Sequence, residues 1–88
     1  MKQFDIKISV ETNGRLISEM VRLFNEYNSE ILITKDDVSR NVKAKSLIGL
    51  RSLSIHQFDI LHITLIGVYE QNDFIDLQDQ LKFLMLKY

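Results

Sequence analysis

Apolar and polar residues alternate over residues 4–10, which is the period of a strand with one buried face. After the turn residues Thr12-Asn13-Gly14, apolar side chains recur every three or four positions over residues 17–27. That spacing predicts a helix of about three turns. Residues 29–34 are rich in β-branched side chains and favour a second strand, closed by the polar residues 35–40.

The second half of the chain repeats these patterns. A short strand over residues 42–44 is followed by Ser46, which suits a helix N-cap, and by an apolar stretch long enough for about two helical turns. Alternation returns over residues 59–66 and ends at Gly67. We expect Asn72 or Asp73 to cap a final helix, whose apolar stripe comprises Phe74, Leu77, Leu81, Leu84 and Met85.

The predicted order is therefore β-α-β-β-α-β-α, without a linker or an internal repeat. Helices laid on one face of a mostly antiparallel, four-stranded sheet are the expected α+β architecture. A chain of 88 residues suits one domain, because a chain of this size buries only about 60% of its unfolded surface. We expect a single domain over residues 1–88.

Composition narrows the classes of function. The net charge is -1, so no global field gathers polyanions such as DNA. Cysteine is absent, which excludes disulfides and thiolate chemistry. No apolar run approaches the ~20 residues of a membrane span, and the first residues lack the apolar stretch of a signal peptide. A cytoplasmic protein, without a membrane or nucleic-acid partner, is the expectation.

A local motif carries more information than the element order. Residues 41–53 read Asn-Val-Lys-Ala-Lys-Ser-Leu-Ile-Gly-Leu-Arg-Ser-Leu and resemble the segment around the regulatory serine of HPr proteins of the sugar phosphotransferase system. Residues 27–31, Tyr-Asn-Ser-Glu-Ile, resemble that family's first helix end and second strand. The resemblance implies an HPr-like open-faced two-layer sandwich.

The same resemblance aligns the start of the first helix with the HPr active centre. The family's loop reads Gly-(apolar)-His-Ala-Arg-Pro-Ala, whereas residues 11–17 read Glu-Thr-Asn-Gly-Arg-Leu-Ile. Asn13 then occupies the position of the phosphorylatable histidine and Arg15 that of the active-site arginine. A slip of one residue would substitute Thr12 or Gly14. Phosphoryl transfer needs a nucleophile that also makes a labile phosphate, and a carboxamide provides neither. We therefore expect that the protein has no phosphocarrier activity and is not an enzyme.

Ser46 gives the stronger positive signal. A helix cap explains a serine there by itself, while the resemblance implies a target of HPr kinase/phosphorylase. The resemblance also implies a surface that binds proteins of the phosphotransferase system, or a transcriptional regulator as in the catabolite-repression variant of HPr. Its expected residues are Arg15, Arg22, Leu47, Ile48 and Arg51. We expect Asn13, Arg15 and Ser46 to surround one shallow pocket, in a monomer or weak dimer.

Two alternatives remain open from the sequence. In the first, the protein is an active phosphocarrier whose acceptor is displaced to His56 or His62, although both read more simply as exposed turn or strand residues. In the second, the sheet binds nucleic acid. That would need aromatic residues on the open face, but the aromatics at positions 4, 24, 74 and 83 fall mostly on inward positions. No metal or cofactor is expected. The acidic pairs and runs, Asp36-Asp37 and residues Asp73, Asp76 and Asp79, read as solvated surface.

Overall fold

The computed structural model describes residues 1–38 and 40–88. The strands and helices follow the predicted order: β1 (Lys2–Lys7), α1 (Gly14–Phe24), β2 (Glu30–Lys35), β3 (Val42–Lys43), α2 (Leu47–Arg51), β4 (Ile60–Ile66) and α3 (Glu70–Leu86). The strands form one sheet in the order β1-β4-β2-β3, and every neighbouring pair is antiparallel. The α+β prediction, with a mostly antiparallel four-stranded sheet, is confirmed.

Alternation along the strands separates a buried face from an open one. Ile63 of β4 lies opposite Phe4 of β1 and Ile33 of β2, and these inward side chains pack against the helices. Burial of one such aliphatic side chain is worth about 1.5–3 kcal/mol. The helices contribute Leu16, Met20, Phe24, Leu50, Leu77 and Leu81 to the same core. His62 and Thr64 point to the open face of the sheet because they alternate with these buried positions.

The start of α3 differs from the prediction. The helix begins at Glu70 with Tyr69 at its N-cap, and Tyr69 makes no side-chain capping bond. Glu70 accepts hydrogen bonds from the amino group of Met1 at 2.6 Å and from the Gly67 backbone N–H at 3.3 Å. The predicted cap at Asn72 or Asp73 is therefore wrong, because the helix begins about one turn earlier, where Glu70 holds the preceding turn.

The carboxylates on the first half of α3 are tethers rather than merely solvated surface. Asp73 accepts hydrogen bonds from both the backbone N–H and the hydroxyl of Ser29, at 3.0 and 2.7 Å. Asp76 accepts one from the Tyr27 hydroxyl at 2.6 Å. Burial and this bond raise the pKa of Tyr27 well above its ordinary value. Asp73 and Asp76 thus correct the sequence interpretation, because they join α3 to the α1–β2 connection.

Lys35 also departs from the prediction of a polar closing stretch. It is the last residue of β2, and it points inward with a relative exposure of only 5%. Its ammonium donates to the Ser54 backbone carbonyl and to Asp59 Oδ2, both at 2.9 Å. These acceptors hold a buried charge that would otherwise be strongly unfavourable. Lys35 therefore fastens the α2–β4 connection beneath the sheet end.

Candidate functional site

The first helix begins at Asn13, which forms a side-chain N-cap. Asn13 has extended backbone angles, and its side-chain oxygen accepts a hydrogen bond from the Leu16 N–H at 2.9 Å. Its backbone carbonyl accepts from Ile17 N at 3.2 Å. Asparagine is among the best N-cap residues because it satisfies a backbone donor that the helix leaves without a partner. Asn13 is otherwise solvent-exposed, so its carboxamide is accessible at the helix end.

A shallow pocket of about 250 Å³ opens beside this cap. It lies between the start of α1 and the end of α2, and it is lined by Thr12, Asn13, Gly14, Ile17, Leu50, Arg51, Ser54 and Ile55. The Thr12 hydroxyl donates to the Ile55 carbonyl at 2.8 Å, which joins the two walls. A guanidinium nitrogen of Arg51 would lie 3.9 Å from a Cβ placed on Gly14. Arg51 therefore supplies a positive charge beside the Asn13 end of α1.

Arg15 is directed elsewhere. It is exposed and does not line this pocket. The Tyr88 hydroxyl donates to Glu19, one helical turn further along α1. This hydrogen bond is the main cause of a raised pKa for Tyr88, and Arg15 acts in the opposite direction on the same hydroxyl. Arg15 thus lies near the end of α3, on a different side of α1 from Arg51.

Ser46 caps α2 but lies away from the Asn13 pocket. Its hydroxyl accepts from the Gly49 N–H at 3.1 Å. Asn25, at the end of α1, donates to the Lys45 carbonyl at 3.2 Å, so the start of α2 lies beside the end of α1. The expectation that Asn13, Arg15 and Ser46 surround one pocket is wrong, because α1 and α2 run in opposite directions and hold their N-caps at opposite ends.

Close packing fixes the Ser46 turn. A Cβ at position 49 would lie 3.0 Å from the Lys43 carbonyl and 3.3 Å from the Ser46 side chain. A side chain at position 49 would therefore require α2 or β3 to move by a few tenths of an ångström. The Lys45 ammonium donates to the Tyr27 carbonyl at 2.6 Å and ties the turn to the end of α1. The Ser46 hydroxyl is half-buried but lies at the surface of this rigid turn.

The expected partner-binding residues divide into two groups. Ile48 and Leu47, on the first turn of α2, are 83% and 37% exposed, and Arg51 follows Ile48 by about one turn of the same helix. These three residues form a continuous strip, which we call the α2 surface. Arg22 faces the groove between α1 and α3, where it lies with Glu26, Phe83 and Lys87. The structure therefore does not bring Arg22 onto the α2 surface.

His62 is held between two carboxylates on the open face of the sheet. Its Nδ1 lies 2.8 Å from Asp5 Oδ1 on β1, and its Nε2 lies 2.5 Å from Asp36 Oδ1 just after β2. A neutral imidazole can donate through one nitrogen only, so both contacts together require the protonated ring. The hydrogen bonds to Asp5 and then Asp36 accordingly raise the pKa of His62. Asp36 is thus an ion-pair partner, not merely a solvated acid.

This arrangement predicts a pH-dependent contribution to folding. Because the folded pKa of His62 exceeds its ordinary value of 6.5, the stabilisation is fully present below pH 6.5 and lost as pH rises through the folded pKa. All three side chains are substantially exposed, so we expect at most about 1 kcal/mol. The measurement is urea unfolding at about pH 5.5 and about pH 8.5, with NMR titration of the His62 ring.

His62→Gln is the test variant and His56→Gln the matched control. The pH-dependent difference should disappear in His62→Gln and persist in His56→Gln. A raised NMR titration midpoint for His62 does not by itself show that the ion pairs stabilise the fold, so the unfolding measurements are needed as well. An NMR midpoint for His62 at or below 6.5 would contradict the prediction, because the two carboxylates would then not favour the charged ring.

His56 has a different environment. Its side chain is exposed in the turn before β4, with Nδ1 4.0 Å from Asp59, and its backbone N–H donates to Asp59 Oδ2 at 2.8 Å. Neither histidine lies at a helix N-terminus. A phosphoryl group on His62 would also face two carboxylates, whose charge opposes a second anion.

The described residues contain no cluster of three or more histidine, cysteine or acidic side chains arranged to hold a metal ion. The two carboxylates at His62 lie on opposite ring nitrogens and so do not converge. No helix among the described residues is long and apolar enough to cross a bilayer.

Of the four aromatic residues expected to point inward, Phe24 is buried and Phe4 packs edge-on against Phe74, with ring centroids 5.7 Å apart. Phe83 is exposed on α3, contrary to that expectation.

Comparison with known proteins identifies the family. The PTS-HPr family model, whose description is "PTS HPr component phosphorylation site", matches residues 1–82. The chain therefore belongs to the HPr family of phosphocarrier proteins. No curated protein matches closely enough to count as a relative.

Solved structures agree with this assignment. A crystal structure of HPr from Thermoanaerobacter tengcongensis superposes with a TM-score of 0.84 and 26% identity, covering 97% of this chain and 96% of that one. The phosphocarrier HPr of Bacillus anthracis gives 0.76 and 27%, covering 86% and 90%. The catabolite-repression protein Crh of Bacillus subtilis, described as a domain-swapped dimer, shares the fold at 0.65 and 22%, covering 99% and 95%.

Some features of the site carry no clear sequence signal. The proximity of Arg51 to Gly14 depends on the antiparallel arrangement of α1 and α2. The proximity of Arg15 to Tyr88 joins residues that are distant in sequence. The N-cap at Ser46 is predicted directly, because capping is a local interaction, whereas the sequence indicates Asn13 only as part of a turn.

Proposed function

We propose that this protein is an HPr-type regulatory or docking protein without histidine-borne phosphocarrier activity. The observation that supports it is the Asn13 carboxamide at the N-cap of α1, hydrogen-bonded to Leu16 N. The loop of residues 11–17 resembles the family's active centre, and this resemblance aligns Asn13 with the acceptor histidine. An amide nitrogen has no nucleophilic lone pair comparable to that of imidazole, so the carrier step fails at the acceptor.

The α2 surface is the proposed site of partner binding. Ile48 and Leu47 present exposed apolar area, and Arg51 adds a cation between that area and the Asn13 end of α1. A protein surface with an apolar centre and a carboxylate rim matches this combination. Proteins of the phosphotransferase system, or a transcriptional regulator, are the proposed partners, and the proposed compartment is the cytoplasm.

Ser46 is the proposed point of regulation, through HPr kinase/phosphorylase. A phosphate there adds about -1.5 to -2 charge. It would stand between Lys45 and the apolar residues Leu47 and Ile48, so it would change what the α2 surface can bind while leaving the helix end satisfied. The Ser46 hydroxyl lies on a turn whose backbone is fixed at Gly49 and Lys45.

Two labelling reactions test the proposal. The pure protein is incubated with phosphoenolpyruvate and enzyme I, and separately with ATP and HPr kinase, and phosphate is mapped by mass spectrometry. We expect label on Ser46 in the second reaction, lost in Ser46→Ala, and no histidine label in the first. Acid-labile phosphate that disappears in the double variant His56→Ala/His62→Ala would instead establish the displaced carrier.

A further inference from the structure

A second exposed surface lies at the end of the sheet and shares no residue with the α2 surface. It consists of Phe58 and Ile60, with Asp36 and Asp37 at its edge, and we call it the Phe58 surface. The depression between these residues has a volume of about 250 Å³ and is also lined by Lys35 and Asp59. Phe58 is 64% exposed and Ile60 is 42% exposed, so two apolar side chains adjoin one another without cover from the described chain.

The backbone holds Phe58 outward in an unfavourable conformation. Its φ angle is 76°, in the left-handed region that a bulky side chain rarely adopts and that glycine adopts freely. Its N–H donates to the Ile8 carbonyl at 2.7 Å, and the Ile8 N–H donates to the Asp59 carbonyl at 2.8 Å. The backbone on both sides of the Phe58 side chain is thus hydrogen-bonded to Ile8, which holds residue 58 in this conformation.

The aromatic ring gains little within the molecule in return. Its described partner is the Lys7 ammonium, 5.6 Å from the ring centroid, an exposed cation–π contact of small benefit. Glycine at position 58 would keep the two backbone hydrogen bonds and relieve the strain. A large aromatic residue kept exposed at a strained position indicates a contact outside the chain.

Charge defines the partner. The Asp36 and Asp37 side chains are 81% and 76% exposed, although His62 and Lys35 each contact one of their oxygens. The Lys35 ammonium is buried and already bound to Asp59, so it offers little charge to solvent. The exposed edge of the apolar floor therefore carries the Asp36 and Asp37 carboxylates, and the Lys7 ammonium over the Phe58 ring is the cation that a basic partner would displace.

We propose that the Phe58 surface binds a basic segment of a partner protein. One lysine or arginine side chain lays its aliphatic stem across Phe58 and Ile60 and places its cationic end at Asp36 and Asp37. Long cationic side chains suit this arrangement because they bury their methylene groups while the charged end stays solvated. The surface is distinct from Asn13, Ser46 and Arg51, so this inference does not depend on the proposed regulatory function.

The test uses two peptides and the full chain. An acetyl-Arg-Leu-Lys-amide peptide and a matched acetyl-Gln-Leu-Gln-amide peptide are titrated into ¹⁵N-labelled protein and followed by NMR. We expect weak, saturable shifts at residues 36, 37, 58 and 60 with the basic peptide only. Equal shifts with both peptides would overturn the role of charge. Shifts at these residues on raising the protein concentration alone would assign the surface to a second copy and overturn the proposal.

Variants separate binding from folding. Phe58→Gly should raise the midpoint of urea unfolding, because glycine suits a φ of 76°. The same variant should lower the affinity for the basic peptide at least tenfold. The double variant Asp36→Asn/Asp37→Asn should lower the affinity for the basic peptide by a similar factor. Glu30→Gln, at the opposite end of the sheet, and Phe83→Ala, an exposed aromatic on α3, are the matched controls and should leave affinity unchanged. Unchanged affinity in Phe58→Gly would overturn the proposal.

Discussion

Asn13→His is expected to accept a phosphoryl group from phosphorylated enzyme I, changing the protein from unlabelled to substantially labelled. The substitution supplies an imidazole at the start of α1, where backbone N–H groups and Arg51 favour an anion. A neutral imidazole is a competent acceptor near physiological pH. Mass spectrometry should locate acid-labile phosphate on residue 13, after exposure to phosphoenolpyruvate and enzyme I.

The cap must be controlled separately, because Asn13 also bonds to Leu16 N. Its loss costs about 1 kcal/mol, which is measured by urea unfolding. Asn13→Ala loses the cap without gaining a ring and should remain unlabelled, whereas Asn13→Asp keeps the cap. If a folded Asn13→His protein takes no phosphate at residue 13, the absence of imidazole is not what prevents carrier activity, and the proposed function loses its main support.

Asp59→Ala is expected to destabilise the fold by about 2–4 kcal/mol, because it leaves the buried Lys35 ammonium without its closest anion. Asp59 also accepts the His56 backbone N–H, so the variant loses two interactions. The expected fall in melting temperature is about 10–20 °C for a domain of this size. Thermal unfolding followed by circular dichroism measures it.

The pair can be separated by a double-mutant cycle. Lys35→Met removes the buried charge, so Asp59→Ala should cost much less in a Lys35→Met background than in the wild type. Equal costs in both backgrounds would show that the Lys35–Asp59 pair does not account for the loss. Acid adds an independent check. The bonds from His56 and Lys35 lower the pKa of Asp59 from its ordinary 3.8, so its stabilisation is present above that pH and lost as pH falls through the lowered value.

Lys35 also illustrates what a sequence pattern cannot reveal. A lysine after an apolar run reads as the end of a strand turning into solvent, and burial of a lysine is rare unless it is paired. Its acceptors, Ser54 and Asp59, lie on a connection about 20 residues further along the chain. Only the antiparallel pairing of β2 with β4 brings them together, so the burial could not be inferred locally.

Phe58 shows the same limit in a turn. Its sequence neighbours His56, Gln57 and Asp59 indicate a polar connection, but the positive φ angle arises from hydrogen bonds to Ile8 on a distant segment. Asp73 and Asp76 resemble ordinary helix surface in sequence. Their roles depend on Ser29 and Tyr27 lying across the α1–β2 connection.

The sequence by itself determined the order of the elements, the inward positions of the strands, the N-cap at Ser46, and the family motif. These depend on periodicity and on hydrogen bonds within a few residues, which are local. The tertiary structure alone decided that Arg51 rather than Arg15 lines the pocket at Asn13, that Ser46 lies at the other end of α1, and that His62 joins Asp5 to Asp36. Those contacts arise from helix direction and strand register, which are set by the packing of the whole core.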